Sequence, residues 1–344
     1  MPIAAWFSLN SRVALGLALL VISTVVSARC ENSEPLRKPF FGDLHVHTRL
    51  SLDASTQDTR TTPQQAYEFA RGSALGIQPF DKETGIARRT IQLDRPLDFA
   101  AVTDHAELFG EVVSCTTPGS KGYGSLMCRV YRNWPRAAFF LMNTKASDGQ
   151  RYEFCGEGGA HCLDLAMGPW QEIQQAAEAA YDRSEACSFT TFVAYEWSAV
   201  KGRVANLHRN VIFKNDKVPV RPVSSLDALT AKQLYDGLDA ACQEGVSGCE
   251  AIIIPHNSNL SNGEMFRVSD DNGEVMGVAQ AKQIQRYEKL VEIMQHKGSS
   301  ECYFGPAGMV AADELCAFEQ LPYGQIGGNF SSGNPLMKWF MGIS

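Results

Sequence analysis

Four short apolar runs in this chain each end on a side chain able to bind a metal, and that repetition narrows the folds open to it. Pro39-Phe40-Phe41-Gly42-Asp43-Leu44 leads into His45-Val46-His47, and Asp98-Phe99-Ala100-Ala101-Val102-Thr103 leads into Asp104-His105. Phe192-Val193-Ala194-Tyr195 ends on Glu196, and Ala251-Ile252-Ile253-Ile254-Pro255 ends on His256. Runs of this length are strand-like. The stretch Leu290-Val291-Glu292-Ile293-Met294 has a spacing that allows either a strand or a helix.

Helical segments lie between the runs. Thr62-Pro63-Gln64-Gln65 carries an N-cap threonine, proline at the first helical position and glutamine three residues after the cap. Thr230-Ala231-Lys232-Gln233 repeats the box, and residues 280–288 read as a third helix. Strands alternating with helices predict an α/β fold with a mainly parallel sheet, in which chemistry gathers at the C-terminal ends of strands. Residues 206–213 alternate in part as a strand expected to pair with 190–195. Residues 109–186 form a long insertion rich in cysteine and glycine, expected as a disulfide-stapled excursion over one face.

The remaining signals concern compartment and partners. Arg12 precedes an apolar run over 13–26, followed by small residues at Ser27 and Ala28. That predicts a secretory signal peptide over 1–28, with an uncleaved anchor as the alternative. The run is short of the ~20 residues of a stable membrane span. Export to the periplasm or the outside makes disulfides the natural reading of the ten cysteines, none of which forms a Cys-x-x-Cys pair. Cys115/Cys128, Cys155/Cys162, Cys242/Cys249 and Cys302/Cys316 are the local pairings, although spacing alone leaves the connectivity open. A net charge of -7 without a basic run argues against nucleic acid as a partner.

The chemistry rests on histidine. On a strand, His45 and His47 point to the same side and can share one metal. Five of the seven histidines fall at strand ends or on the companion strand. His105 follows Asp104, which is suited to orient an imidazole. Glu196, between Tyr195 and Trp197, is a metal-bridging candidate or else one half of a buried salt bridge. His208 and His256 complete the set, against readings as core histidines, and Asp53 is a further oxygen donor or a loop carboxylate. Glu292 is a weaker candidate, while His161 and His296 have no strand context. Asp104, His208 and Arg209 are the candidate catalytic residues, with Lys201, Arg203 and Arg209 either placed to meet an anionic substrate or ordinary surface charge, the second above all for Lys201. Nitrogen and carboxylate donors without thiolate suit zinc, manganese or iron, and this many donors suit two or three ions. Paired ions suit phosphoester hydrolysis by a metal-held hydroxide on a small phosphate ester.

Gly42-Asp43-Leu44-His45-Val46-His47-Thr48, Asp53, Thr103-Asp104-His105, Glu196, His208 and Pro255-His256-Asn257 together resemble the PHP (polymerase and histidinol phosphatase) superfamily. More narrowly, Ala194-Tyr195-Glu196-Trp197-Ser198, the 206–213 strand and residues 291–298 resemble an exported branch known as domain of unknown function 3604. The resemblance implies a distorted (β/α)7 barrel over 38–344, a two- or three-metal site and phosphoesterase-like activity. By motif it makes His45, His47, Asp53, His105, Glu196, His208 and His256 ligands. The superfamily's late Asp-x-His motif has no counterpart here, because no histidine follows His296 and Asp313 is followed by Glu314-Leu315. The expectation is therefore a C-terminally truncated chain whose barrel is incomplete at its last strands. Two alternatives remain open: a catalytically impaired metal-binding fragment, and an amidohydrolase-like barrel cleaving C–N or C–O bonds.

Overall fold

The computed structural model describes residues 37–201, 205–256, 258–261, 264–270, 273–293, 304–305 and 308–309. The expected leader, Arg203, Asn257, His296, the Cys302/Cys316 pair and the 313–341 region lie outside these residues. The first half of the described chain holds β1 (Gly42–Val46), α1 (Leu52–Ser55), α2 (Pro63–Ala70), β2 (Leu75–Phe80), β3 (Ala87–Ile91), β4 (Phe99–Val102) and α3 (Phe109–Thr116). Next come α4 (Leu126–Asn133), α5 (Pro135–Ser147), α6 (Ala160–Leu165), α7 (Met167–Ala180), β5 (Thr190–Phe192) and β6 (Ala194–Lys201). Last are β7 (Ala205–Phe213), α8 (Ala231–Leu238), β8 (Ala251–His256) and α9 (Val278–Tyr287), then two-residue strands at Phe304–Gly305 and Gly308–Met309.

The fold is mixed α/β, and only one of the four sheets among the described residues is parallel. β1, β4 and β5 pair in parallel in the order β1-β4-β5. β6, β7 and β8 pair antiparallel, in the order β6-β7-β8. The predicted mainly parallel sheet fails here for a plain reason. Three residues separate β6 from β7 in sequence, and a parallel return needs a crossover of roughly a dozen residues. The companion strand pairs with Ala194–Lys201 and so runs further along than 190–195. Backbone past β4 joins the two sheets: Glu196 N donates to Asp104 O at 3.0 Å, and Ala106 N donates to Glu196 O at 3.1 Å. Among the described residues the strands close no barrel. The 290–293 stretch is not a strand, but Glu292 N donates to Pro255 O at 3.0 Å beside β8.

Period-two alternation divides the strand residues between two layers. Val102, Tyr195, Trp197, Val211, Phe213 and Ile253 face the main core, against Tyr67 of α2, Trp170 and Ile173 of α7, and Leu234 and Leu238 of α8. Ala101, Ala194, Ile212 and Ile254 face the other way and form a small apolar cluster, joined by Leu44, Phe192 and Ile252. Continuing two residues at a time along the same faces reaches His105 by way of Thr103, then Glu196, then His208 by way of Asn210, then His256. The apolar cluster thus underlies a layer of metal-capable side chains.

The cysteine-rich excursion is helical. α3, α4 and α5 share a second core containing Val112, Cys115, Cys128, Tyr131, Ala138 and Met142. Disulfides Cys115–Cys128, Cys155–Cys162 and Cys242–Cys249 form as expected, and Cys187 is also disulfide-bonded. The excursion is shorter than 109–186, because α7 returns to the main core through Trp170, whose Nε1 donates to Pro219 O at 3.0 Å. No helix among the described residues is long and apolar enough to cross a membrane.

Both expected capping boxes are present, at Thr62/Gln65 on α2 and at Thr230/Gln233 on α8. Each satisfies two backbone N–H donors that an uncapped helix end leaves unpaired. Replacing Thr230 with alanine removes the acceptor for Gln233 N and is expected to lower unfolding free energy by about 1 kcal/mol in a urea titration.

Candidate metal centre

The site is built around one carboxylate. Tyr195 and Trp197 of β6 point into the main core, which turns Glu196 to the opposite face. The Glu196 side chain is wholly shielded from solvent and meets imidazoles through both oxygens. Its Oε2 lies 2.8 Å from His47 Nε2 and 3.2 Å from His45 Nε2. Its Oε1 lies 2.6 Å from His208 Nδ1, and 3.5 Å from both His105 Nδ1 and His256 Nε2. The five rings close a circle in the order His45, His47, His105, His208, His256. Successive centroids are 5.1, 4.7, 5.4, 5.6 and, back to His45, 4.1 Å apart.

Three of the rings are steered from outside by oxygen. His45 Nδ1 lies 2.9 Å from Glu292 Oε2, His47 Nδ1 lies 2.9 Å from Asp53 Oδ2, and His105 Nδ1 lies 2.6 Å from Ser198 Oγ. Orienting oxygens of this kind fix the tautomer of an imidazole ligand and leave its other nitrogen free. Asp53 is itself held at Oδ1 by Ser51 Oγ and Ala54 N, at the start of α1. His105 Nε2 faces its Oδ2 at 3.7 Å.

Electrostatics divide the ring. Burial opposes charge on His45, but Glu196 and Glu292 outweigh it and lift the ring to about 9. Burial likewise opposes charge on His47 and His105, whose pKa values still rise because Asp53 and Glu196 lie beside them. Burial would raise Glu196, yet His105, His256 and His208 hold it well below the usual carboxylate range. His256 goes the other way: burial and the neighbouring imidazoles keep it neutral. Its ring is fully buried, and neither nitrogen has a hydrogen-bond partner among the described residues. An orphaned buried imidazole is costly unless something accepts its lone pair. Two sets of donor atoms lie within 4.8 Å of one another, His45/Glu196/His256 and His47/His105/Glu196, and Glu196 belongs to both. A divalent cation fits such nitrogen and oxygen sets. Glu111, Cys155 and Cys162 also cluster, but both sulfurs are spent in a disulfide.

Every candidate ligand within the described residues is therefore in or beside this ring, with Asp53 set behind His47. Two other expectations change, and Lys201 takes the surface-charge reading. Asp104 does not steer an imidazole. Its Oδ2 accepts from Thr48 Oγ1 at 2.7 Å and its Oδ1 accepts from Thr48 N, so it clamps the backbone just past His47. Burial pushes Asp104 up to about 6. Arg209, next to His208 on β7, points to the opposite face, where it lies over Trp197 and pairs with Glu288 Oε1 at 2.7 Å. Strand alternation forces this, so Arg209 is a core residue and does not line the site. Lys201 Nζ is paired with Glu264 Oε2 at 2.7 Å. Glu292, the weaker candidate, contacts the ring directly through His45, and His161 lies away in the excursion beside Ser120.

Two residues escaped sequence reasoning. Ser198 Oγ sits between His105 Nδ1 and Glu196 Oε1, at 2.6 and 2.8 Å. Glu107 is buried, with Oε1 3.5 Å from His105 Nδ1 and Oε2 unpartnered; burial pushes it up to about 7. The available signal was position, since Ser198 follows Glu196 by two on a strand and Glu107 follows His105 by two.

Fold and site together define a mixed α/β protein with an imidazole-rich candidate metal centre. The chain belongs to the family described as "Protein of unknown function (DUF3604)", whose profile matches residues 34–334. No curated protein and no solved structure matches it.

The Arg209 assignment is open to direct test. Arg209→Met strands Glu288 and Tyr235, whose hydroxyl also donates to Glu288, and is expected to cost about 3–5 kcal/mol in denaturant unfolding. Because the residue faces away from the ring, divalent-metal stoichiometry of the folded variant should stay at the wild-type value.

Proposed function

We propose that this chain is an exported, divalent-metal-dependent hydrolase with a PHP-like architecture, acting on small phosphate esters. The circle of five imidazoles around the buried Glu196 carboxylate carries the reading. Neutral, unpartnered His256 supports it, because an imidazole in that state is ready to ligate. The buried, locally spaced disulfides support export, since such bonds persist in oxidising compartments.

His45, His256 and Glu196 would hold one ion, and His47, His105 and Glu196 a second, with His208 beside the shared carboxylate. Bound divalent ions would supply Lewis-acid polarisation of substrate and water. The chain's own residues set up that chemistry. Glu292 and Asp53 hold the Nδ1 atoms of His45 and His47 and so aim both Nε2 atoms at Glu196 Oε2. Asp104 fixes the strand end through Thr48 and keeps the His-x-His pair in register with β4. The apolar layer of Ala101, Ala194, Ile212 and Ile254 seals the site from below and keeps the local dielectric low.

One observation favours a second reading, hydrolysis of a neutral C–N or C–O bond. Lys201 and Arg209, two of the cations expected to meet a phosphate, are committed to Glu264 and Glu288. A carbonyl substrate needs no such clamp.

The deciding experiment is metal analysis of the purified protein, followed by turnover of phosphomonoester, phosphodiester and amide substrates. Bound zinc, manganese or iron with phosphoester turnover is expected. Chelation should abolish the turnover, and both His45→Ala and Glu196→Gln should reduce it by about 100-fold or more, beyond the roughly 10–100-fold that follows loss of a group merely orienting a ligand. Amide turnover alone would select the second reading, and a protein that takes up no metal would end both.

A further inference from the structure

We propose that Ser198 is a positioning residue of the candidate metal centre, one that locks His105 in the Nδ1–H tautomer and keeps its Nε2 free for a cation. The inference deepens the reading above and names a residue outside its ligand set.

The argument is one of proton counting. A serine hydroxyl has a single proton to donate and can accept from other donors. Ser198 Oγ has two close polar neighbours, Glu196 Oε1 at 2.8 Å and His105 Nδ1 at 2.6 Å. The hydroxyl donates to Glu196 Oε1, since a carboxylate oxygen accepts, and its one proton is spent there. The contact with His105 is then satisfied only if Nδ1 carries hydrogen and donates to Oγ. The reverse arrangement would set two oxygen lone pairs against each other at 2.8 Å in a buried site.

The surroundings of the ring agree. Nδ1 faces three oxygens: Ser198 Oγ, then Glu107 Oε1 and Glu196 Oε1, each of the last two at 3.5 Å. The opposite nitrogen, Nε2, faces Asp53 Oδ2 at 3.7 Å, too long for a hydrogen bond. His45 and His47 follow the same scheme, with Nδ1 on a carboxylate and Nε2 turned inward. In His105 a hydroxyl takes the place that a carboxylate takes in the other two. Ser198 also couples the ring to Glu196, so the two groups cannot reorient independently.

The test uses the full chain and Zn2+ alone as the probe. Calorimetric titration of metal-free wild type, Ser198→Ala and Ser198→Thr should show the alanine variant binding at least one Zn2+ about 10–100-fold more weakly. The threonine variant, which keeps the hydroxyl, should stay within about threefold of wild type by the same argument. Equal affinity in wild type and Ser198→Ala overturns the proposal. So does a Ser198→Thr variant as weak as Ser198→Ala, because the hydroxyl would then not be the cause. A second readout does not depend on metal. In protein labelled with 15N-histidine, at alkaline pH, the His105 ring should resonate as the Nδ1–H tautomer, its signal identified by its loss in His105→Gln. An Nε2–H tautomer there overturns the proposal, whereas a wild-type chain that binds no Zn2+ but shows Nδ1–H removes only the hydrolase reading.

Discussion

A single anionic carboxylate, shut away from water at the head of an apolar layer, sets the terms for the rest of this molecule. A buried charge of that kind is tolerated only where positive or proton-donating groups surround it. Glu196 obtains them from His45 and His47 just within and past β1, His105 past β4 and His208 on β7, while neutral His256 at the end of β8 closes the ring at 3.5 Å. Each lies far from Glu196 in sequence or across a strand pair, so the carboxylate and the sheet order require one another. Misplacing any of those strands would remove part of the compensation.

The alternation of the strands then separates two kinds of buried polar chemistry. On the face toward the helices, Arg209 and Glu288 form a closed ion pair under Trp197, with Tyr235 also donating to Glu288. That pair is internal to the core, and Arg209 Nη1 is buried there without a hydrogen-bond partner among the described residues. On the other face the imidazoles are not satisfied by one another, and His256 has no hydrogen-bond partner at either nitrogen among the described residues. Adjacent residues of β7, His208 and Arg209, thus fall on opposite sides of that division. Behind the ring, Asp53, Glu292 and Ser198 supply oxygen to the Nδ1 atoms, and Asp104 ties down the turn after His47.

Much of this was legible in the linear chain, and the physical reasons are specific. Short apolar runs that lead into histidine or glutamate mark strands, so His45, His105, Glu196 and His256 could be picked out one by one, although β6 continues past Glu196 to Lys201 and does not end on it. The capping boxes at Thr62 and Thr230 are local hydrogen-bond patterns and formed as read. Disulfides closing short loops, Cys155–Cys162 and Cys242–Cys249 with seven residues of separation and Cys115–Cys128 with thirteen, were also within reach of spacing. Less accessible were the direction of the β6–β8 sheet and the return of α7 to the main core through Trp170. Arg209 was misread because a charge beside a ligand looks functional until strand alternation is applied at that residue.

What the amino-acid order determined by itself was the inventory and its local setting: which residues could bind a cation, which runs would become strands, and where two helices would begin. Those follow from side-chain chemistry and from periods of two and 3.6 residues, which act over a few positions. Tertiary structure alone decided that five imidazoles would meet around one carboxylate, that Ser198 and Glu107 would stand beside His105, and that Glu292 would reach His45 across 247 positions. Contacts of that range are set by the pairing of distant strands and the packing of helices against them, and no local pattern in the chain encodes such distances.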